Sequence, residues 1–345
     1  MRLDSPQLDQ RGRAAFDFMN FLARSLFGLG AGQSQRLANC FGDGADLPAD
    51  LDDRAARIEA ELAGDPAFRA QQLIGDWHAR MHGAVAIEAF EAIAPALAPA
   101  LAACEHGPAT LALDPALEPP DYWRGVSFHR TGAWDSHPHM GYVHGELVHK
   151  QMVARLAPDG IFKQRREVAA MAPHGPYKRI LELGCGSGHF TTALAETWPD
   201  AAITGVDLSA RMLEHAWRTA NLNGWSWDLR QANAEATGLP EGHFDLVTSY
   251  ILLHELPADA VRGVFAEAFR VLKPGGDLLM SDVTRFANLG PLDVWRVDRS
   301  ARLGGEPHWR ASAGLDLAEV ARQAGFIEVS AHGRYPHVVQ GRKPQ

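Results

Sequence analysis

The sequence predicts an α/β fold: a doubly wound, mostly parallel seven-stranded sheet with an antiparallel C-terminal hairpin, preceded by a helical N-terminal region. Three observations carry that expectation. From Lys178 onward short apolar runs alternate with helical stretches, the order that builds a parallel sheet with helices on both faces. The first of these junctions, Gly184-Cys185-Gly186-Ser187-Gly188, is a glycine turn between a strand and a helix. The first hundred residues are instead rich in alanine, leucine and acidic side chains, and read as helices.

Three regions follow along the 345 residues: a helical region over 1–118, an aromatic and histidine-rich connector with a helix over 119–175, and an α/β domain over 176–345. In the first region Phe16, Phe18, Met19, Phe21, Leu22, Leu26 and Phe27 form an apolar stretch expected to pack against its own domain. The most apolar run, 92–104, holds two prolines and is too short to span a bilayer. In the connector, Pro119, Pro120, Tyr122, Trp123, Phe128, His129, Trp134, Asp135, His137 and His139 sit among glycines and prolines, which is loop chemistry. A helix is expected over 144–156. Strands are then expected at 179–183, 202–206, 226–231, 244–250 and 277–282, with helices at 190–197, 210–220 and 258–272. A helix at 315–324 precedes strands at 326–331 and 337–340, whose short connection predicts the hairpin.

Composition narrows the function. Forty-six per cent hydrophobic and 22% charged residues suit a globular chain with a sizeable core. A formal net charge of −9 argues against a nucleic-acid or anionic-membrane partner. Cys40, Cys104 and Cys185 are far apart, without metal or redox spacing, which fits a reducing compartment. The first twenty residues carry Asp4, Asp9, Arg11, Arg13 and Asp17 and lack the apolar core of a signal peptide. A soluble, cytoplasmic protein is the expectation.

The glycine turn lets the backbone fold tightly and lets a ligand approach without meeting a Cβ. Nineteen positions after Gly188, at the end of the next strand, stands Asp207, whose carboxylate is suited to accept both hydroxyls of an adenosine ribose. Its alternative role is to cap the following helix, which Ser209 could equally fill. The spacing G-x-G-x-G, with His189 where a dinucleotide fingerprint has its third glycine, makes NAD or FAD binding the alternative reading.

The run from Ile180 through Asp282 resembles the class I S-adenosylmethionine (SAM)-dependent methyltransferases of the bacterial small-molecule group. The resemblance rests on Glu182-Leu183-Gly184-Cys185-Gly186-Ser187-Gly188, Val206-Asp207-Leu208-Ser209, Phe244-Asp245-Leu246-Val247, Leu272-Lys273-Pro274-Gly275-Gly276 and Ala324-Gly325-Phe326. It implies SAM as cofactor. Glu182, Gly184, Cys185, Gly186 and Gly188 would line its methionine end, and Asp207 with Leu208 its ribose. Asn233, Ala234 and Glu235 would lie at the adenine, with Asn233 where the family usually has an acid and its amide oxygen still able to accept. Met212 would pack on adenine, and Tyr250 would border the cofactor.

Because SAM carries an activated methyl, the chain must align an acceptor and exclude water. A base would help where the acceptor bears a proton, and His254, just beyond the fourth strand, is the candidate. Trp134, His144, Trp309 and His254 are candidate acceptor contacts, with Trp295, Arg296, Arg302, His308 and Arg310 in the same stretch as Trp309. The cluster His129, His137, His139, His144 and His149, with Asp135 and Glu146, holds metal-ligating types. No metal is expected from it, since an α-helix splays His144 from His149. The expected partner is a small-molecule methyl acceptor, with neither nucleic acid nor membrane, and the N-terminal region could serve as a lid or a homodimer contact. Two other readings stay open: a nicotinamide or flavin oxidoreductase, and a SAM-binding regulator without catalysis.

Overall fold

The computed structural model describes residues 3–4, 6–124, 133–156 and 160–345. Three helices come first: α1 (Gln10–Phe41), α2 (Leu51–Leu62) and α3 (Pro66–Ala103). Each begins on an aspartate, Asp9, Asp50 and Asp65, whose side chain accepts from a backbone N–H of the first turn. Pro66 opens α3, where its missing N–H costs nothing.

The apolar run 92–104, read as too short to span a bilayer, is the C-terminal part of the longer helix α3. Pro95 and Pro99 lie inside the helix without terminating it, so one element reaches from residue 66 to 103. Among the described residues α3 is the one helix long and apolar enough to cross a membrane, with 33% of its most apolar window buried. The apolar stretch of α1 is likewise divided. Phe16 and Met19 are buried, whereas Phe18, Phe21 and Phe27 are exposed, and Phe18 meets Trp77 of α3 edge-on. Packing against its own domain therefore accounts for only part of that stretch.

A strand absent from the sequence reading, β1 (Thr110–Ala112), interrupts the helical region. The chain then forms α4 (Met140–Tyr142), a π-helix (Val143–Val153) and α5 (Ala154–Leu156), followed by α6 (Ile161–Ala169). Where 144–156 was expected to be α-helical, hydrogen bonds run from residue i to i+5, as from Ala154 N–H to His149 O.

The alternating domain follows in the expected order: β2 (Arg179–Leu183), α7 (His189–Thr197), β3 (Ala202–Asp207), α8 (Ala210–Asn223), β4 (Asp228–Gln231), β5 (Phe244–Tyr250), α9 (Ala258–Val271) and β6 (Leu272–Asp282). Then come α10 (Pro291–Gly304), α11 (Trp309–Ala313), α12 (Leu317–Gln323), β7 (Ile327–His332) and β8 (His337–Arg342). The sheet order is β1-β4-β3-β2-β5-β6-β8-β7. The strands from β1 to β6 pair in parallel, and β8 is antiparallel to both β6 and β7, the expected hairpin. The seven expected strands are present, and β1 adds an eighth at the edge, pairing Thr110–Ala112 with Asp228–Arg230.

Two apolar clusters cover the two faces of this sheet, one around Phe265 and Leu278 and one around Phe190 and Leu213. β5 is buried along its whole length, including Asp245, Thr248 and Ser249, as a central strand covered on both faces should be. Two further clusters fasten the N-terminal helices. Phe16, Phe90, Tyr142 and Leu147 pack with Met212 of α8, and Leu37, Ile58 and Phe68 pack with Leu292 and Trp295 of α10. The order of strands reverses between β2 and β5, and the site lies beyond the carboxyl ends of those strands.

Candidate active site

The glycine turn leaves β2 through three left-handed residues, Gly184, Gly186 and Gly188. A Cβ on Gly184 would run into Leu252, whereas one on Gly186 would meet nothing within 4 Å and point into open space. That open cradle is where a ligand can lie against bare backbone. Gly188 behaves differently. It does not line the cavity, and a Cβ there would press on Trp227 and Ala216, so its part is helix packing rather than the cofactor contact the sequence suggested.

Asp207 closes the turn. Its carboxylate accepts from Gly186 N–H at 2.8 Å and from Ser209 N–H at 2.9 Å. Ser209 is the N-cap of α8, accepting from Met212 N–H, so Asp207 is free of the capping role. Burial pushes the Asp207 carboxyl up to about 6, against the two backbone donors that lower it. Glu182, one strand away, accepts from the Thr191 hydroxyl at 2.6 Å, and burial pushes it up to about 8.

A cavity of about 960 Å³ opens over these groups. It is lined by Glu182, Gly184, Cys185, Gly186, Asp207, Leu208 and Met212, by Asn233, Ala234 and Tyr250, and by Trp134, His144 and His254. Thus most of the sequence-designated residues converge on one space. Two more do not. Glu235 is drawn away, accepting from Tyr122 Oη at 2.5 Å and lying against Gly263. Trp309 stands behind His254, edge-on with ring centroids 4.7 Å apart, and does not reach the cavity. Asn233 does line it, and its amide oxygen accepts from Glu235 N–H at 3.0 Å while keeping a second lone pair.

The roof comes from the other half of the chain. Leu26, Phe27 and Leu37 of α1 and His78 and His82 of α3 face the strand ends. Trp134 lies over the Asp207 end, held there because Ser209 Oγ donates to Asp135 Oδ1 at 2.6 Å.

His254 sits on a short 3₁₀ turn, Leu253–Glu255, after β5. Its Nδ1 faces Asp282 Oδ1 and its Nε2 faces Glu255 Oε1, each at 3.2 Å. Burial disfavours the charged ring, but the carboxylates of Asp282 and Glu255 outweigh it and hold the pKa well above 6.5. The ring is therefore an imidazolium at neutral pH, and Arg285 completes the charge balance at Asp282. His144 is the opposite case, held down to about 3 by burial and its cationic neighbours.

The histidine cluster is dispersed in space. His137 pairs with Glu91, Glu146 with Lys150 and His215, and Asp135 with Ser209, while His129 and Phe128 lie outside the described residues. His144 and His149 do meet, with ring centroids 4.4 Å apart, because the π-helix stacks residues five apart. The one group of three metal-ligating side chains brought together among the described residues is His254, Glu255 and Glu306. Sequence reasoning also missed Arg165 of α6, nearly fully buried, whose guanidinium lies 4.7 Å over the Tyr250 ring. It missed Ile251 as well, a β-branched residue held at φ +59° on the cavity wall. No local pattern announces either residue, because both places depend on distant partners.

The fit to SAM can be judged on these residues. An open glycine cradle, the strand-end carboxylate of Asp207 free of capping and a second buried acid, Glu182, suit a ligand with a ribose and a cationic centre. The model of the family described as "Methyltransferase domain" matches residues 180–276. An uncharacterized methyltransferase of Synechocystis sp. is 31% identical over 173 residues, covering 48% of this chain and 76% of that protein. A demethylmenaquinone methyltransferase of Symbiobacterium thermophilum is 30% identical over 190 residues, covering 48% and 75%. The chain belongs to the class I SAM-dependent methyltransferases. A solved phosphoethanolamine N-methyltransferase of Haemonchus contortus, in complex with SAM, is 16% identical with a TM-score of 0.46, covering 56% of this chain and 55% of that one. As a member of this family the methyltransferase uses SAM as its cofactor, and the glycine turn with Asp207 is the part of the cavity whose chemistry fits it.

Proposed function

We propose that this methyltransferase methylates a small, largely apolar acceptor that sits between the strand ends and the roof formed by α1 and α3. The observation that carries the reading is the shape of the cavity. About 960 Å³ is at the upper end for ligand sites, enough for a cofactor and a second molecule side by side. Its cofactor end is polar, and its far end is walled by Leu26, Phe27, Leu37 and Leu303. The kinship with a demethylmenaquinone methyltransferase supports an apolar acceptor of this kind.

SAM, when bound, supplies the activated methyl, so the chain's task is alignment and the exclusion of water. Leu26, Phe27 and Leu37 of the roof help to exclude water, and the Gly186–Asp207 pair fixes one end of the cavity. At the other end His254 and Glu255 face the acceptor. His254 carries a proton on both ring nitrogens, so it orients and balances charge, and acts as a base only after giving up a proton. Glu255 Oε2, buried and without a hydrogen-bond partner among the described residues, is the acceptor for a proton there.

The test is calorimetric titration with SAM, S-adenosylhomocysteine and NADH in parallel, followed by mass spectrometry of quinol and phenol acceptors incubated with SAM. Binding of both adenosyl ligands with a 14-dalton gain on an apolar acceptor supports the reading. Binding without turnover on any apolar or polar acceptor would favour a SAM-responsive regulator.

A further inference from the structure

We infer that His254, Glu255 and Glu306 form a binding site for a divalent first-row transition-metal ion at the acceptor end of the cavity. Their ligand atoms all lie within 4.8 Å of one another, and His254 Nε2 stands 3.2 Å from Glu255 Oε1, a separation that suits two ligands of one ion as well as a hydrogen bond. One imidazole and two carboxylates are the donor set that Zn²⁺, Mn²⁺ and Fe²⁺ accept.

Two independent features make it a built site. Each ligand is on a fixed turn. Leu253 N–H donates to Asp282 Oδ2 at 2.7 Å, anchoring the turn that carries His254 and Glu255. Glu306 follows Gly305, a left-handed residue that ends α10, and its N–H returns to Ala301 O at 3.1 Å. Second, Asp282, fully buried, faces His254 Nδ1 and so presents Nε2 to the cavity, the carboxylate–histidine arrangement that orients metal-bound imidazoles.

The inference deepens the proposed function and rests on it only for what the ion holds there: an acceptor oxygen, whose pKa the ion would lower. Binding of the ion can be tested without turnover. Chelator-treated full-length protein is titrated with Co²⁺, followed by visible absorption, and with Mn²⁺, followed by electron paramagnetic resonance. We expect one equivalent to bind. Glu306→Gln and His254→Ala should weaken binding by about 100-fold or more, and Asp282→Asn by about 10–100-fold. S-adenosylhomocysteine affinity, measured on the same variants, reports whether the fold and cofactor end survive. Absence of stoichiometric binding in wild-type protein, or equal binding by a Glu306→Gln protein that still binds S-adenosylhomocysteine, overturns the site. Failure of adenosyl ligands to bind while Co²⁺ still does would overturn the cofactor reading instead.

Discussion

Asp207 and Gly186, twenty-one positions apart, share a hydrogen bond of 2.8 Å that draws the glycine turn onto the end of the neighbouring strand. The same carboxylate therefore shapes the cradle and, on the proposed reading, would also accept from the ribose hydroxyls of SAM. With its pKa pushed up to about 6 by burial, it is ionised at pH 7 and protonated below pH 6. S-Adenosylhomocysteine affinity should fall as pH drops through about 6. Asp207→Asn should flatten that pH dependence, and Asp207→Ala should weaken binding by roughly 10–100-fold through lost charge-assisted bonds. Affinity that stays constant between pH 5 and 8 in calorimetry would contradict the assignment.

Glu182 gives a stability prediction of the opposite sign to that of most acids. Its folded pKa, about 8, lies above the ordinary glutamate value of 4.5, so the folded state holds the proton more tightly. The stabilisation is fully present below the unfolded pKa and is lost as pH rises through about 8. Glu182→Gln keeps an acceptor for Thr191 and cannot titrate. Melting curves at pH 6 and pH 9 should show wild type losing more stability than the variant, by an amount on the order of a few kcal/mol. Parallel losses in the two proteins would show that Glu182 is not the group responsible.

Two histidines of one cavity should titrate in opposite directions. In chelator-treated protein, ¹⁵N NMR should find His254 still protonated at pH 7.5, since Asp282 and Glu255 overcome the cost of burying it. His144, pushed down to about 3, should remain neutral at pH 5. Glu255→Gln should lower the His254 value and leave His144 unmoved. A His254 titrating near 6.5 would restore it as a resting general base.

Gly141 tests how the helical region is fastened. Any Cβ there would fall on the carbonyl oxygen of Arg211 and close to the His215 side chain, both on α8. Gly141→Ala should destabilise the protein by about 1–3 kcal/mol in chemical denaturation, the usual cost of overpacking. It should also weaken S-adenosylhomocysteine, because α8 carries Met212 beside Asp207. An unchanged midpoint would mean that α4 rides loosely on α8.

The parts of the molecule legible in the sequence are those where every local signal agrees. β5 falls at 244–250 as expected because Phe244, Leu246, Val247 and Tyr250 mark a short, mostly apolar stretch rich in strand-forming side chains. The glycine turn and Asp207 were legible because their spacing is itself the signal. β1 was not, since three residues at an edge take their conformation from β4. The π-helix was missed because its extra residue per turn is decided by packing between α3 and α8 and leaves no local trace. Glu306 joins His254 and Glu255 only through the fold of α10, fifty-one positions beyond Glu255. The resemblance implied Glu235 at the adenine, whereas its bond to the Tyr122 hydroxyl holds it out of the cavity lining.

The cavity's floor and roof come from separate stretches of chain, and the family match over 180–276 contains floor residues such as Asp207 and His254 but none of α1 or α3. If the acceptor lies under that roof as proposed, substitutions at Leu26, Phe27, His78 or His82 should change which molecule is accepted while the cofactor chemistry stays intact. Two chains nearly identical over the matched stretch need not make the same product, and selectivity has to be looked for in the helices that alignment leaves out.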